Sequence, residues 1–199
     1  MRIVAGSVKG RTLQAPPGSS TRPTSDRVRE AMFSMVGSLA ELTGATVVDL
    51  FAGSGALGIE ALSRGATPVT FVERDPLALA TIRTNLTQLR LDGPHTRLQR
   101  GDVLAHLALA ADADLIFADP PYAFGPWSQL GSGLTTSGFG GLAVLESGTA
   151  IDLGGGWDVV RVKRYGGTVV TVARPLGREA QGPESQGPES QVQGRVDYG

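Results

Sequence analysis

The 199-residue sequence contains no cysteine and only two histidines, His95 and His106. Without thiols there is neither a disulfide framework nor a thiolate metal site, and two scattered imidazoles are too few for a zinc centre, so no metal is expected. A cysteine-free chain fits a reducing, cytoplasmic setting. Also absent is any run of about 18 uninterrupted apolar residues, the length a membrane span needs. The opening MRIVAGSVKGRTLQAPPG breaks its apolar residues with charge and glycine instead of building a leader. The expectation is a soluble, untargeted protein with no membrane partner. Net charge is also scarce, at −1, yet it is unevenly spread. Residues 1–30 hold Arg2, Lys9, Arg11, Arg22, Arg27 and Arg29 against Asp26 and Glu30, so this end carries +4 and the remainder −5. Such asymmetry suggests a basic appendage that meets phosphates, attached to a body whose acidic groups have other work.

What is present is apolar content of 41%, enough for one core plus appendages. Residues 2–13, punctuated by Gly6 and Gly10, read as a short hairpin, and 15–26 as a Pro/Gly/Ser linker. Ser25 or Asp26 caps a helix over 27–42, with Val28, Met32, Met35, Val36 and Leu39 on one apolar face. From residue 46, strands at 46–51, 68–75, 96–102, 114–122 and 141–147 alternate with helices at 56–65 and 76–91 and a short one at 103–110. Asp75 caps the second of these helices and Pro76 opens its first turn. That alternation predicts parallel strands joined by right-handed crossovers in an open α/β sheet. Two β-branched runs around Gly166-Gly167, within 157–174, predict a hairpin that finishes the sheet antiparallel. Residues 130–141 hold five glycines in twelve positions, each costing a helix about 1 kcal/mol, so an irregular, partly mobile connection is expected there. The tail from about 176, with QGPES at 181–185 and again at 186–190, has almost nothing to bury and is expected to be disordered. The expected division is 1–20 as hairpin and linker, 21–175 as the α/β domain and 176–199 as tail, in a monomer.

The stretch VVDLFAGSGALG, residues 47–58, spaces its glycines as Gly53-x-Gly55-x-x-Gly58, a pattern usually read as a dinucleotide loop. It falls at the first strand-to-helix turn, where open α/β sheets bind ligands, and Gly53 and Gly55 let backbone come close to one. Neighbouring residues argue against hydride chemistry. A pyrophosphate would be repelled by Asp49 on the same strand end. Glu73 follows Gly53 by 20 positions, where a carboxylate takes both ribose hydroxyls. Asp102 closes the third strand in RGD, where it can accept from an adenine amine. Three carboxylates at successive strand ends suit an adenosine with a cationic amino-acid tail better than a phosphate-rich dinucleotide.

The fourth strand ends in DPPY, 119–122. Pro120 and Pro121 stiffen the backbone beside Asp119, so that carboxylate and the Pro120 carbonyl form a fixed receptor for the two hydrogens of an exocyclic amine, with Tyr122 stacked on the base. Holding both hydrogens favours the pyramidal amine, whose lone pair can then act as nucleophile. Together, the loop from Asp49 to Gly58, Glu73, Asp102 and DPPY resemble the class I S-adenosylmethionine-dependent methyltransferases that modify exocyclic amines. RIVAGSVKGRTL, RPTSDRVREAMFS, DLFAGSGALGIEALSRGA and VLES are similar, more narrowly, to bacterial 16S rRNA guanine-966 N2-methyltransferases, over about residues 2–174.

The resemblance implies an α/β fold with a Rossmann-like class I methyltransferase sheet, mostly parallel with a C-terminal antiparallel hairpin, plus a short N-terminal β-hairpin. It also implies S-adenosylmethionine (SAM) as donor and 16S rRNA or the assembling small ribosomal subunit as partner. The implied cofactor residues are Asp49, Gly53, Ser54, Gly55, Glu73, Arg74 and Asp102, with Thr24 and Arg27 added from RPTSDR. Asp119, Pro120, Pro121 and Tyr122 would be catalytic. Lys9 and Arg11 are the expected phosphate contacts, with Arg161, Lys163 and Arg164 of the last hairpin as the alternative docking surface. Adenine-N6 methylation, an NAD-dependent oxidoreductase and a non-catalytic RNA-binding module are the competing readings.

Overall fold

A computed structural model describes residues 1–17 and 26–177. Its elements run α1 (Asp26–Gly37), β1 (Val47–Leu50), α2 (Ala56–Ser63), β2 (Val69–Glu73), α3 (Pro76–Leu89), β3 (Thr96–Arg100), two 3-10 turns (Val103–Ala105 and Leu107–Ala110), β4 (Leu115–Ala118), α4 (Trp127–Ser137), β5 (Leu142–Ser147), β6 (Trp157–Tyr165) and β7 (Thr168–Pro175). Seven strands form one sheet in the order β3-β2-β1-β4-β5-β7-β6. β1 to β5 pair in parallel, while β7 runs antiparallel to β5 and to β6, as the strand–helix alternation and the Gly166-Gly167 signal predict. Strand order reverses between β1 and β4, so the carboxyl ends of these two strands flank the crevice where such sheets take ligands. Every residue of β1, β4 and β5 is buried because both faces of the sheet are covered there. One core layer joins the sheet to α1, α2 and α3, and the other joins it to α4 and the 3-10 turns.

Three helical elements differ from the sequence-based expectation. The glycine-rich 130–141 segment is not an irregular connection: residues 127–137 form α4, with Leu130 and Leu134 fully buried. Its glycines are there for close packing, since a Cβ on Gly131 would lie 2.2 Å from the Leu153 carbonyl oxygen and one on Gly133 2.3 Å from Leu107 Cδ1. Tertiary contact thereby overrides a poor intrinsic propensity. The helix expected over 27–42 ends at Gly37, where the Ser38 hydroxyl donates to the Met35 carbonyl. The expected 103–110 helix is two separate 3-10 turns, broken at His106. The tail from 178 onward lies outside the described residues.

The N-terminal segment pairs through one isolated bridge, Arg2 to Thr12, rather than through two strands. It is nonetheless fastened to the body. Ile3 and Leu13 belong to the core, and Val4 N and Ala5 N donate to the two oxygens of buried Glu60 at 2.8 and 3.0 Å. Glu60 also accepts from Arg64 Nε at 2.9 Å and lies 3.7 Å from the fully buried Arg29 guanidinium, which bonds Asp26 and the Arg2 carbonyl as well. Asn85 on α3 holds Gln14 through both its amide groups and reaches the Ser54 carbonyl. The segment thus descends along α2 to Ser63, where Ser7 N and Val8 N bond, and returns along α3.

Removing Glu60 would leave the Val4 and Ala5 amides without their acceptor and take from buried Arg29 one of its two carboxylate partners. Glu60→Ala should therefore cost about 3–5 kcal/mol in urea unfolding. A loss no larger than that of a surface substitution, about 0.5 kcal/mol, would show that the pair is not what secures the segment.

Candidate active site

The loop between β1 and α2 is held from below by two carboxylates. Asp49, only 1% exposed, accepts from Gly58 N at 2.8 Å, and Glu73 at the end of β2 accepts from Gly53 N at 2.9 Å and Asp75 N at 2.8 Å. Gly58 is required because a Cβ there would stand 2.3 Å from the Phe71 ring, so only glycine lets α2 lie this close to β2. Of the predicted cofactor residues, Asp49 is turned inward and spent on the helix start. Glu73 is half-buried with each oxygen accepting one amide, which leaves a second lone pair on each for a ligand. Ser54 is half-buried, its carbonyl bonded by Asn85 and its hydroxyl near Met1 Sδ; Gly55 is buried, while Arg74 and Arg27 are exposed. Asp102 follows β3 and is exposed; its Oδ1 caps the first 3-10 turn through Leu104 N at 2.9 Å. Thr24 lies outside the described residues.

Directly across the switch point, β4 ends at Ala118 and Asp119 continues from it, half-buried. Pro120 is buried and Pro121 exposed, and the Pro121 carbonyl accepts from Phe124 N at 2.7 Å, closing a turn that fixes the segment. Tyr122 is 61% exposed, and a Cβ on Gly148 after β5 would lie 3.1 Å from its Cδ1. The structure thus brings the glycine loop, Glu73 and DPPY to one edge of the sheet. Lys9 and Arg11 sit elsewhere, beside the far ends of α2 and α3, where Arg11 donates to the Gln88 carbonyl at 2.9 Å. The eight residues of α2 put about 12 Å between that end and the glycine loop.

Sequence reasoning missed an aromatic bridge between the two loops. Phe51, directly after β1, has φ +60, a conformation that a bulky residue rarely adopts. Its ring meets Phe124 edge-on at 5.0 Å, and Phe124 meets Trp127 in the same manner at 5.0 Å. The available signal was the aromatic spacing in PPYAFGPW beside the DLFAG turn. Two hollows lie elsewhere. One of about 390 Å³ separates the 3-10 turns from α4, and one of about 650 Å³ opens at the opposite edge near Glu41, Asp114 and Arg174. Neither gathers the carboxylates, amides and stiffened carbonyl found at the β1/β4 edge, and convergent chemistry rather than volume marks the site.

A family profile described as Conserved hypothetical protein 95 matches residues 1–174. The chain belongs to that family. Its relatives include a candidate rRNA methyltransferase of Bacillus subtilis, YlbH, 48% identical over 61% of this chain and 67% of the relative. The ribosomal RNA small subunit methyltransferase D of Escherichia coli is 37% identical over 61% of this chain and 60% of its own length. The chain therefore spans about two thirds or less of these curated relatives. Among solved structures, a methyltransferase candidate of Escherichia coli, yhhF, superposes with a TM-score of 0.76 at 31% identity, covering 88% of this chain and 97% of the other. Fold and family thus coincide with the methyltransferase resemblance, whose glycine loop, Glu73 and DPPY share one sheet edge.

Burial pushes the Asp49 carboxyl well above its usual 3.8, with the charges of Asp119 and Glu73 adding to the rise and the Gly58 amide opposing it. A carboxyl raised in the folded state favours folding most while it is protonated. That advantage is lost as pH rises from the unfolded value through the folded one. Asp49→Asn keeps an acceptor for Gly58 N and cannot ionise. Without ligand, urea midpoints of the two proteins should lie closest near pH 4, and the variant should gain on the wild type as pH rises to 7. Parallel curves would show that Asp49 ionises at no cost.

Proposed function

We propose that the chain transfers a methyl group from SAM to the exocyclic N2 amine of a guanine in 16S rRNA, in the cytoplasm. The observation that carries this reading is the position of Asp119-Pro120-Pro121-Tyr122, on the strand beside the glycine loop and at the switch point of the sheet. The donor set fits the cofactor: the ends of β2 and β3 offer carboxylate acceptors at Glu73 and Asp102, which suit ribose hydroxyls, an adenine amine and a cationic tail. Such acceptors would repel a pyrophosphate, and an oxidoreductase has no use for DPPY. Glu73 would hold the ribose and Asp102 the adenine amine, with backbone of Gly53, Ser54 and Gly55 against the tail. Bound there, SAM supplies an electrophilic methyl group.

The chain's own part is positioning. The Asp119 carboxylate and the Pro120 carbonyl accept the two amine N–H groups, Tyr122 stacks on the base, and the guanine lone pair is aimed across the β1/β4 crevice. Orientation of this kind supplies most of the rate. Asp119 need not be a strong base, because the methylated amine is acidic and loses its proton late to this carboxylate or to water. A paired guanine presents no accessible amine, so the target is unpaired or turned out of its helix.

Purified protein with methyl-labelled SAM and 16S rRNA should yield N2-methylguanosine on nucleoside analysis; N6-methyladenosine would transfer the assignment to adenine. Asp119→Ala should lower turnover about 100-fold or more, the scale of a misplaced reactant, with SAM affinity within a few fold. Near-normal turnover would end the amine-receptor account. Glu73→Ala should instead cost about 1.5–3 kcal/mol of SAM binding, and an unchanged dissociation constant would remove Glu73 from the cofactor site.

A further inference from the structure

β6 is the outer edge of the sheet and is exposed along most of its length. Residues 157–175 carry Arg161, Lys163, Arg164 and Arg174 against one carboxylate, Asp158, within a protein of net charge −1. Several cations of the chain are already held by the protein itself. Arg29 and Arg64 are bound to Glu60, Arg11 to the Gln88 carbonyl and Arg174 to the Leu39 carbonyl. Among the described residues, the side chains of Arg161, Lys163 and Arg164 have no ion pair or hydrogen bond. Lysine and arginine on an edge strand also discourage sheets from pairing edge to edge. A bulge between Val159 and Arg161 already interrupts this edge, however, and the three cations lie beyond it.

Register fixes where they stand along the sheet. Ala118 pairs with Leu145, Leu145 with Thr171, and Thr171 with Val162. Asp119 and Lys163 are each the next residue along, both toward the carboxyl edge, and Arg164 is one further. Three strand spacings separate β4 from β6, about 14 Å in all. At about 3.4 Å of rise per nucleotide in a stacked strand, some four nucleotides cover that span. Lys9 and Arg11, by contrast, stand at the other end of the helices.

We infer that the upper half of β6, carrying Arg161, Lys163 and Arg164, is the phosphate-binding rail for the RNA segment that flanks the target base. This rests on the RNA-methylation reading above and adds the surface on which the substrate lies. Phosphate contacts of this kind give affinity and register without base choice.

The test uses the full chain with SAM and an rRNA fragment containing the methylated site. Lys163→Gln/Arg164→Gln should weaken RNA binding and flatten its dependence on log[salt] by about one to two units, at about 0.7–0.9 for each phosphate no longer neutralised. KM for RNA should rise, while kcat at saturating RNA, the SAM dissociation constant, the modified nucleotide and the melting temperature stay as in the wild type. Lys9→Gln/Arg11→Gln is the comparison and should leave the slope unchanged. The rail is overturned if the β6 variant keeps the wild-type slope, whether it stays monomeric or begins to associate, as an edge guard would. It is equally overturned if only the Lys9/Arg11 variant flattens the slope. A wild-type protein that neither binds nor methylates the fragment would refute the RNA reading itself, a result distinct from normal methylation with an unaltered β6 slope.

Discussion

The bond from Gly58 N to the Asp49 carboxylate fixes where α2 begins, and the rest of the site follows from it. Only a residue without a Cβ lets that helix sit against Phe71, and only a buried acceptor on β1 satisfies the amide so exposed. With α2 placed, the loop before it is pulled down onto Glu73 through Gly53 N, and Phe51 is left at positive φ with its ring against Phe124. A clamp on the glycine loop is thereby joined mechanically to the turn that follows DPPY. The cost is a carboxyl held in a dry place beside two others, and the raised Asp49 pKa is the measure of it.

A second polar cluster does for the N-terminus what Asp49 does for the loop. Glu60 takes two amides from the first residues and two cations from α1 and α2, so Arg29, counted in the basic end of the sequence, is structural charge. Sequence charge counts Arg29 and Lys9 alike. In the structure one is fully buried under the segment and the other exposed at its tip. A charge gradient along a chain therefore says little about phosphate contact until the cations already bound to the protein are set aside.

The strand–helix alternation was legible because apolar periodicity is local, and the switch point followed from it once parallel pairing was assumed. DPPY and Glu73 were legible because strand ends can be read off such a pattern. What escaped was set by partners distant in sequence. Gly131 and Gly133 read as helix breakers until Leu153 and Leu107 are seen packed against them. Arg29, Glu60 and Asn85 are polar residues on helices, and no local pattern marks that all three are fully buried. Asp49 read as a ligand-facing carboxylate, yet it accepts from a backbone amide nine residues on.

The near-zero net charge of the chain conceals a division across one edge of the sheet. Toward β2 and β3 the strand ends carry Glu73, Asp75 and Asp102 interleaved with Arg74 and Arg100, and toward β6 they carry Lys163 and Arg164, with Asp119 between. A cationic donor and a polyanionic acceptor cannot share one field: carboxylates that attract the first repel the second. On the proposed reading, Asp119 and the neutral, proline-stiffened carbonyl stand at the boundary, where a target base would leave its phosphates on the basic side and present only its amine to the acidic one. At separations of about 10 Å salt already screens most of the interaction between exposed charges, so about 14 Å of sheet is enough for the two halves to act independently. The order β1-β4-β5-β7-β6 supplies that distance by inserting β5 and β7 between the reacting strand and its basic edge.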